Sequence, residues 1–225
     1  MIYEKILILH PDINPCLATM KRFLLTLFLF VATAPLLAAS LVEGRIYMKN
    51  GSVVECTGND RLKMPQKNGK LKVFRDAFRK TKAKEILSPG DIDSVICWHA
   101  KSPEHTRKFL FAEKPGWMWV YVETPYIKAC IYSKKGYGIN TNGGIQVWQR
   151  RRWFSRSRAA YFLQKQGDRG FRNVGSAYRR SKDTFRKRIA CYIDDDPTLA
   201  ERIRQSNAYR DKTILMLHDY NPTRH

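Results

Sequence analysis

Gly44-Arg-Ile-Tyr-Met-Lys49, then Asn50-Gly51, then Ser52-Val-Val-Glu-Cys56, is the stretch on which the reading of the fold turns. Apolar and polar residues alternate on both sides of Asn-Gly, the period of a half-buried strand. Asn-Gly supplies two residues that accept positive φ, which a two-residue hairpin turn needs to match the twist of its strands. The stretch predicts two antiparallel strands joined by a tight turn.

The same grammar repeats downstream. Leu71–Arg75 is a lone candidate strand inside a polar, basic stretch. Lys84–Ser88 and Ile92–Trp98 flank Pro89-Gly90-Asp91, which reads as strand, turn, strand. Lys108–Ala112 is a further short strand. Trp117–Glu123 and Tyr126–Tyr132 flank Thr124-Pro125, and Gly138–Thr141 and Ile145–Gln149 flank Asn142-Gly143-Gly144. Ala159–Lys165 ends at Gln166-Gly167-Asp168. Short strands with regular turn signals imply an antiparallel sheet, curled or barrel-like.

The period changes after Gly175. Phe185, Ile189, Tyr192 and Ile193 recur at helical spacing. Asp196-Pro197 offers an N-cap and a first-turn proline for a second helix carrying Leu199 and Ile203. Asp211 is the expected cap of a third, with Ile214, Leu217 and Tyr220, stopped by Asn221-Pro222. Such short helices are not stable alone, so their apolar faces must dock on the sheet. The expected class is α+β: an antiparallel β body over 41–175 and a C-terminal subdomain of about three short helices over 176–225.

Upstream of the body, Met20-Lys21-Arg22 is a charged start. An apolar run from Phe23 to Leu37 follows, then the small residues Ala38, Ala39 and Ser40. That is the order of a secretory signal peptide, here 20–40. The run falls short of the ~20 apolar residues of a spanning helix. Because a signal peptide begins at its charged end, Met20 is the expected start and 1–19 an upstream extension. The mature chain is then expected outside the cytoplasm, periplasmic or surface-exposed, with no transmembrane helix.

The net charge is +21. Residues 1–39 change it by a single unit, with Lys5, Lys21 and Arg22 against Glu4 and Asp12. Charge of this size bears on solubility and on attraction to polyanions rather than on fold. It is clustered. One block holds Arg61, Lys63, Lys67, Lys70, Lys72, Arg75, Arg79, Lys80, Lys82 and Lys84, opposed within it only by Asp76. A second runs from Arg150 to Arg188, with Asp168 and Asp183 as its acids. In an exported protein the expected partner is an anionic envelope component, lipid phosphate or acidic glycan, rather than a specific nucleic-acid site. Other envelope proteins are the alternative partners. Trp148-Gln-Arg-Arg-Arg-Trp153 is the leading candidate patch, since guanidinium groups bind oxyanions in a fork and stack on rings. Trp148, Arg150, Arg151, Arg152, Trp153, Arg156 and Arg158 are its members. The competing reading is a strand end running into a solvated loop.

No catalytic motif stands out, and no cofactor or metal is implied. Cys97 and His99 share a face if their strand is regular, compatible with a thiol–imidazole pair, but they lack an orienting third group. An enzyme on an anionic substrate would need them, or Glu104 and His105, to converge in a cleft. Asp194-Asp195-Asp196 reads as helix capping rather than a cation site. Trp117, Trp119 and Tyr121 alternate on one face and Met118, Val120 and Val122 on the other. The first row reads as core packing rather than an exposed stacking surface. Cys56, Cys97, Cys130 and Cys191 are an even set that an oxidising compartment would permit to form two disulfides. Buried free thiols are the alternative.

Gly44-Arg-Ile-Tyr47 with its Asn50-Gly51 hairpin, Ser88-Pro-Gly-Asp-Ile-Asp-Ser-Val95, Tyr161-Phe-Leu-Gln-Lys-Gln-Gly167, Phe185-Arg-Lys-Arg188, Tyr192-Ile-Asp-Asp-Asp-Pro-Thr-Leu199 and Asp219-Tyr-Asn221 together give the chain a familiar outline. It resembles a group of uncharacterised secreted proteins of Bacteroidota-type bacteria that pair a β-rich body with a short helical tail. The resemblance covers most of the mature chain and implies that architecture and an exported location. Its motifs are turns, caps and core positions, so it implies no activity. The two basic blocks depart from the group's pattern.

Overall fold

The Asn50-Gly51 hairpin forms. In the computed structural model, which describes residues 41–79, 83–134, 136–139, 144–147, 159–176 and 182–222, β1 (Leu41–Met48) and β2 (Val53–Cys56) pair antiparallel with Gly44 opposite Cys56 and Ile46 opposite Val54. Gly51 takes positive φ, and the Asn50 side chain accepts from the Ser52 amide at 3.0 Å and its hydroxyl at 2.7 Å.

Eleven strands make one antiparallel sheet. Along it after β2 come β3 (Arg61–Lys63), β4 (Leu71–Arg75), β5 (Ala83–Leu87), β6 (Ile92–His99), β7 (Ser102–Ala112), β8 (Gly116–Glu123) and β9 (Ile127–Ser133). β10 (Tyr137–Ile139) and β11 (Ile145–Val147) form a separate hairpin, and β12 (Ala159–Lys165) and β13 (Arg172–Ser176) return to the main sheet. The order is β13-β12-β9-β8-β7-β6-β1-β3-β4-β5, with β2 paired to β1 off this path.

The sheet is open, not a barrel: β13 and β5 are its two ends. It nevertheless curls strongly. The loop after β3 reaches across to the start of β8, where the Lys67 carbonyl accepts from the Trp117 amide at 2.7 Å and the Gly69 carbonyl from the Trp117 indole at 2.9 Å. Gly116 must be glycine there. Its φ is +116°, and a Cβ would lie 2.4 Å from the Lys67 carbonyl oxygen. Gly44 does the same work in β1, where a Cβ would meet the Ile96 carbonyl oxygen at 2.4 Å and Leu62 at 2.7 Å.

The expected strand, turn, strand order around Pro89-Gly90-Asp91 forms. Pro89–Asp91 is a single 3-10 turn, and the strands it joins do not pair: β5 pairs with β4, while β6 lies between β1 and β7. Val95 and Cys97 complete the apolar face of Val42 and Ile46, whereas β5 buries none of its residues and suits an edge. β3, β13 and the first half of β7 carry too little alternation to be read as strands. Pairing holds them, as where Ser102 lies opposite His99.

The inner face carries two cores. Val42, Ile46, Leu62, Leu71, Val73, Val95, Phe109 and Trp117 pack where the sheet curls. Ile127, Ala129, Ile131, Tyr161 and Leu163 pack under the helices. Helices α1 (Lys182–Tyr192), α2 (Pro197–Gln205) and α3 (Arg210–Leu215) bring Phe185, Ile189, Leu199, Ile203 and Ile214 to that second core. Asp196 caps α2, accepting from the Leu199 amide at 3.0 Å. Asp211 does not cap α3. The helix begins one residue earlier, behind Tyr209, whose carbonyl accepts from the Thr213 amide at 2.8 Å and hydroxyl at 3.0 Å. Asp211 sits instead in the first turn, where its charge opposes the positive end of the helix dipole. No helix among the described residues is long and apolar enough to cross a membrane.

Candidate polyanion-binding surface

The leading sequence candidates, Trp148, Arg150, Arg151, Arg152, Trp153, Arg156 and Arg158, lie outside the described residues, as do Lys80 and Lys82. The first basic block is otherwise visible, and the fold sorts its cations by type.

Its arginines turn to acids. Arg61 pairs with Glu43 at 3.2 Å, with both side chains mostly buried. Arg75 bridges Asp60 at 2.7 Å and Glu85 at 3.4 Å, and Arg79 pairs with Asp76 at 3.6 Å. The hydrogen bond from Arg75 is the main reason that the Asp60 carboxyl titrates below its ordinary range. Asp76 is therefore not the block's only counter-charge. Glu43, Asp60 and Glu85 lie outside the basic run in sequence or at its edge, and pairing brings them in.

Its lysines do not follow. Lys63, Lys67, Lys70, Lys72 and Lys84 have no acidic partner among the described residues. Strand register explains where they point. Leu62 lies opposite Val73 and both are buried, so the next step of the register sets Lys63 opposite Lys72 on the outer face. Lys72 in turn lies opposite Ile86, and Phe74 opposite Lys84. Lys63, Lys70 and Lys72 rim a hollow of about 230 Å³ whose floor includes Met64, Pro65 and Leu71. Phe78, 71% exposed and stacked 5.0 Å from the Arg61 guanidinium, and Ile86, 51% exposed, stand on the same part of the molecule. Like charges gathered at one hollow are mutually unfavourable, and no ion pair among the described residues offsets these lysines.

The described part of the second block is tied inward at several points. Lys165 Nζ donates to Asp195 at 2.9 Å, and Tyr220 donates to the same carboxylate oxygen at 2.7 Å. Tyr192 donates to Asp168, and the Lys165 and Arg172 cations stand 5.3 and 5.6 Å from the Tyr192 ring. Burial pulls Asp195 upward, but the bonds from Lys165 and Tyr220 together outweigh it and hold the carboxyl low. Arg186 is buried against Asp183 and the Ala208 carbonyl. Asp196 also accepts from the Asn221 amide at 3.0 Å, so the Asp194–Asp196 run serves caps and ion pairs. No cluster of metal-binding side chains occurs among the described residues.

Cys97 and His99 do not form a pair. The register shifts between them, which breaks the alternation that would put them on one face. Cys97 is fully buried and desolvation drives its thiol strongly upward, while His99 Nδ1 accepts from the Lys101 amide at 3.3 Å. Glu104 and His105 are half-exposed neighbours, 3.3 Å apart. Cys56, Cys97, Cys130 and Cys191 are free thiols, the first three buried and the last exposed. Cys56 and Cys97 flank Gly44 from opposite sides. Two strand spacings put their Cα atoms roughly 9–10 Å apart, beyond the reach of a disulfide. Burial pushes the Cys56 thiol up to about 11 and Cys130 to about 12. Trp117 is core, as the alternation implies, with Trp119 and Tyr121 partly buried beside it. A register shift between Val120 and Val122 moves Val122 to the helix side, away from Met118.

Comparison with protein-family models, with curated proteins and with solved structures finds no match.

Proposed function

We propose that this is an exported, non-catalytic protein, periplasmic or surface-exposed, that binds an anionic component of the cell envelope through its basic and aromatic surface. The single observation that carries the reading is that Lys63, Lys70 and Lys72 line one hollow and none of them has an acidic partner among the described residues. Arginines of the same block are paired, so the unpaired lysines are not a by-product of an acid-poor neighbourhood. Exposed Phe78 and Ile86 add apolar contact of the kind that acyl chains or sugar faces accept. Export rests on the Met20–Ser40 signal.

The test is a salt series of binding to anionic lipid vesicles, an acidic glycan and duplex DNA. Affinity for one of the first two should fall steeply with salt, because each neutralised anionic group releases counterions. The double substitution K63Q/K72Q should lower the logarithmic salt slope by about 2. A flat salt response, or a slope that the double substitution leaves unchanged, overturns the reading.

A further inference from the structure

Arg107 stands apart from the paired arginines. Alternation along β7 puts it on the inner face with Phe109 and Phe111, and it lies opposite Cys97 of β6. Its guanidinium sits 5.0 Å over the Trp119 ring. One terminal nitrogen donates to the Thr106 carbonyl at 2.7 Å, but Nε is buried and has no hydrogen-bond partner. No carboxylate among the described residues pairs with it. A buried donor left unbonded is unfavourable, more so when it belongs to a charged group, and stacking on an indole leaves the donor unbonded.

The space beside this guanidinium is a groove of about 370 Å³ lined by Arg107, Trp119, Tyr121 and Leu215, with Thr106, Val120 and Lys108 completing it and Lys108 already paired to Glu123 at 2.9 Å. The volume lies in the range of small-molecule sites, which run from about 300 to 1,000 Å³. Trp119 and Tyr121 meet edge to face, with centroids 5.5 Å apart, and Leu215 of α3 is exposed at the mouth. One wall is sheet and the other is helix, so the groove exists only where the helical tail docks. Asp211 stands one turn before Leu215 on α3, and its charge reaches the Tyr121 phenol, which burial and then Asp211 push upward. A negative charge within electrostatic reach of Tyr121 disfavours a dianion in the groove.

We infer that this groove binds a small ring-bearing carboxylate, its carboxylate on the Arg107 fork and its ring against Trp119, Tyr121 and Leu215. A planar guanidinium matches a carboxylate with two parallel hydrogen bonds, and no carboxylate among the described residues already occupies that of Arg107. Sugar acids and aromatic acids share this chemistry. The site shares no residue with the lysine face, so either can fail without the other.

The test is titration of the full chain with glucuronate and with 4-hydroxybenzoate, read by calorimetry and tryptophan fluorescence, with glucose as the neutral control. At least one acid should bind in the millimolar range or tighter, and glucose should not. R107Q should weaken that binding by more than about tenfold, and L215E, at an exposed position, should abolish it by placing a second carboxylate at the mouth. D211N should tighten it, and K63Q/K72Q should leave it unchanged. Circular dichroism confirms that each variant is folded, and L215E keeps the test open if R107Q is not. Equal binding of glucose and glucuronate, no binding of either acid at millimolar concentration, or full affinity in folded R107Q or L215E overturns the inference.

Discussion

The curled end of the sheet and the helix-covered end are both rich in cations, and they use them differently. At the curled end the arginines are consumed by Glu43, Asp60, Asp76 and Glu85, while Lys63, Lys70 and Lys72 face outward around a hollow. At the helical end a lysine is consumed: Lys165 joins Asp195, Tyr220 and, through its backbone, Tyr192 in a network that ties the end of α1, the turn after it and the C-terminal turn to β12. Sequence charge alone would rank the two alike. The difference teaches that the informative quantity is not how basic a segment is but which of its cations the fold leaves without a counter-charge.

The comparison breaks most severely at Asp196. Its buried carboxylate caps α2 through the Leu199 amide and also holds the Asn221 amide. Asp196→Ala removes a cap and orphans a second donor, and should cost about 2–3 kcal/mol, measured by urea unfolding. The lysine face should bind as before in the folded variant, because it stands on β3 and β4. Loss of that binding would mean that the two ends are not independent.

Acid sharpens the contrast more gently. Asp168, through the Tyr192 hydroxyl first, and Asp195, through Lys165 and Tyr220 against the pull of burial, both have carboxyls held below the ordinary 3.8. A depressed folded pKa gives stability that is present above the unfolded value and is lost as pH falls through the folded one. Unfolding free energy should therefore drop below pH 3.8, starting from its neutral value. In Asp195→Asn that acid-driven drop should be smaller. An equal drop in the variant would remove Asp195 from the acid-sensitive set.

The smallest expected effect has an unusual sign. K63Q/K72Q removes two like charges from one hollow and should raise stability slightly while it weakens polyanion binding. A thermal melt of the double variant checks it, and a loss of stability would show that the two ammonium groups are held apart.

Much of the architecture was legible because it rests on local chemistry. Asn50-Gly51 admits positive φ, Asp196-Pro197 caps and starts a helix, and Phe185, Ile189 and Tyr192 recur at helical period. Each acts over a few residues of chain. β13 and the first half of β7 were not legible, since pairing rather than alternation makes them strands. The partnership of β1 with β6, in addition to β2 and β3, needed the whole sheet. The bulges in β6 and β8 moved His99 and Val122 off the faces that a regular strand would give them.

The candidate sites divide along the same line. Lys63, Lys70 and Lys72 were visible as part of a basic run, but not as its unpaired part. Arg107 carried no signal at all, because a single arginine in a polar strand is unremarkable until Trp119, Tyr121 and Leu215 surround it.

By itself the sequence determined the strand-then-helix order, the charged and then apolar run of Met20–Ser40 and the excess of positive charge, all properties of residue type and short-range spacing. The tertiary structure alone decided that the sheet stays open and that Cys56 and Cys97 stand on either side of Gly44. It also decided that in the first basic block the arginines pair with acids while Lys63, Lys70 and Lys72 do not, and that the Arg107 guanidinium faces a groove between sheet and helix. Those outcomes depend on pairing partners far apart in the chain, and the free energy of a buried or paired charge is set by what surrounds it in space.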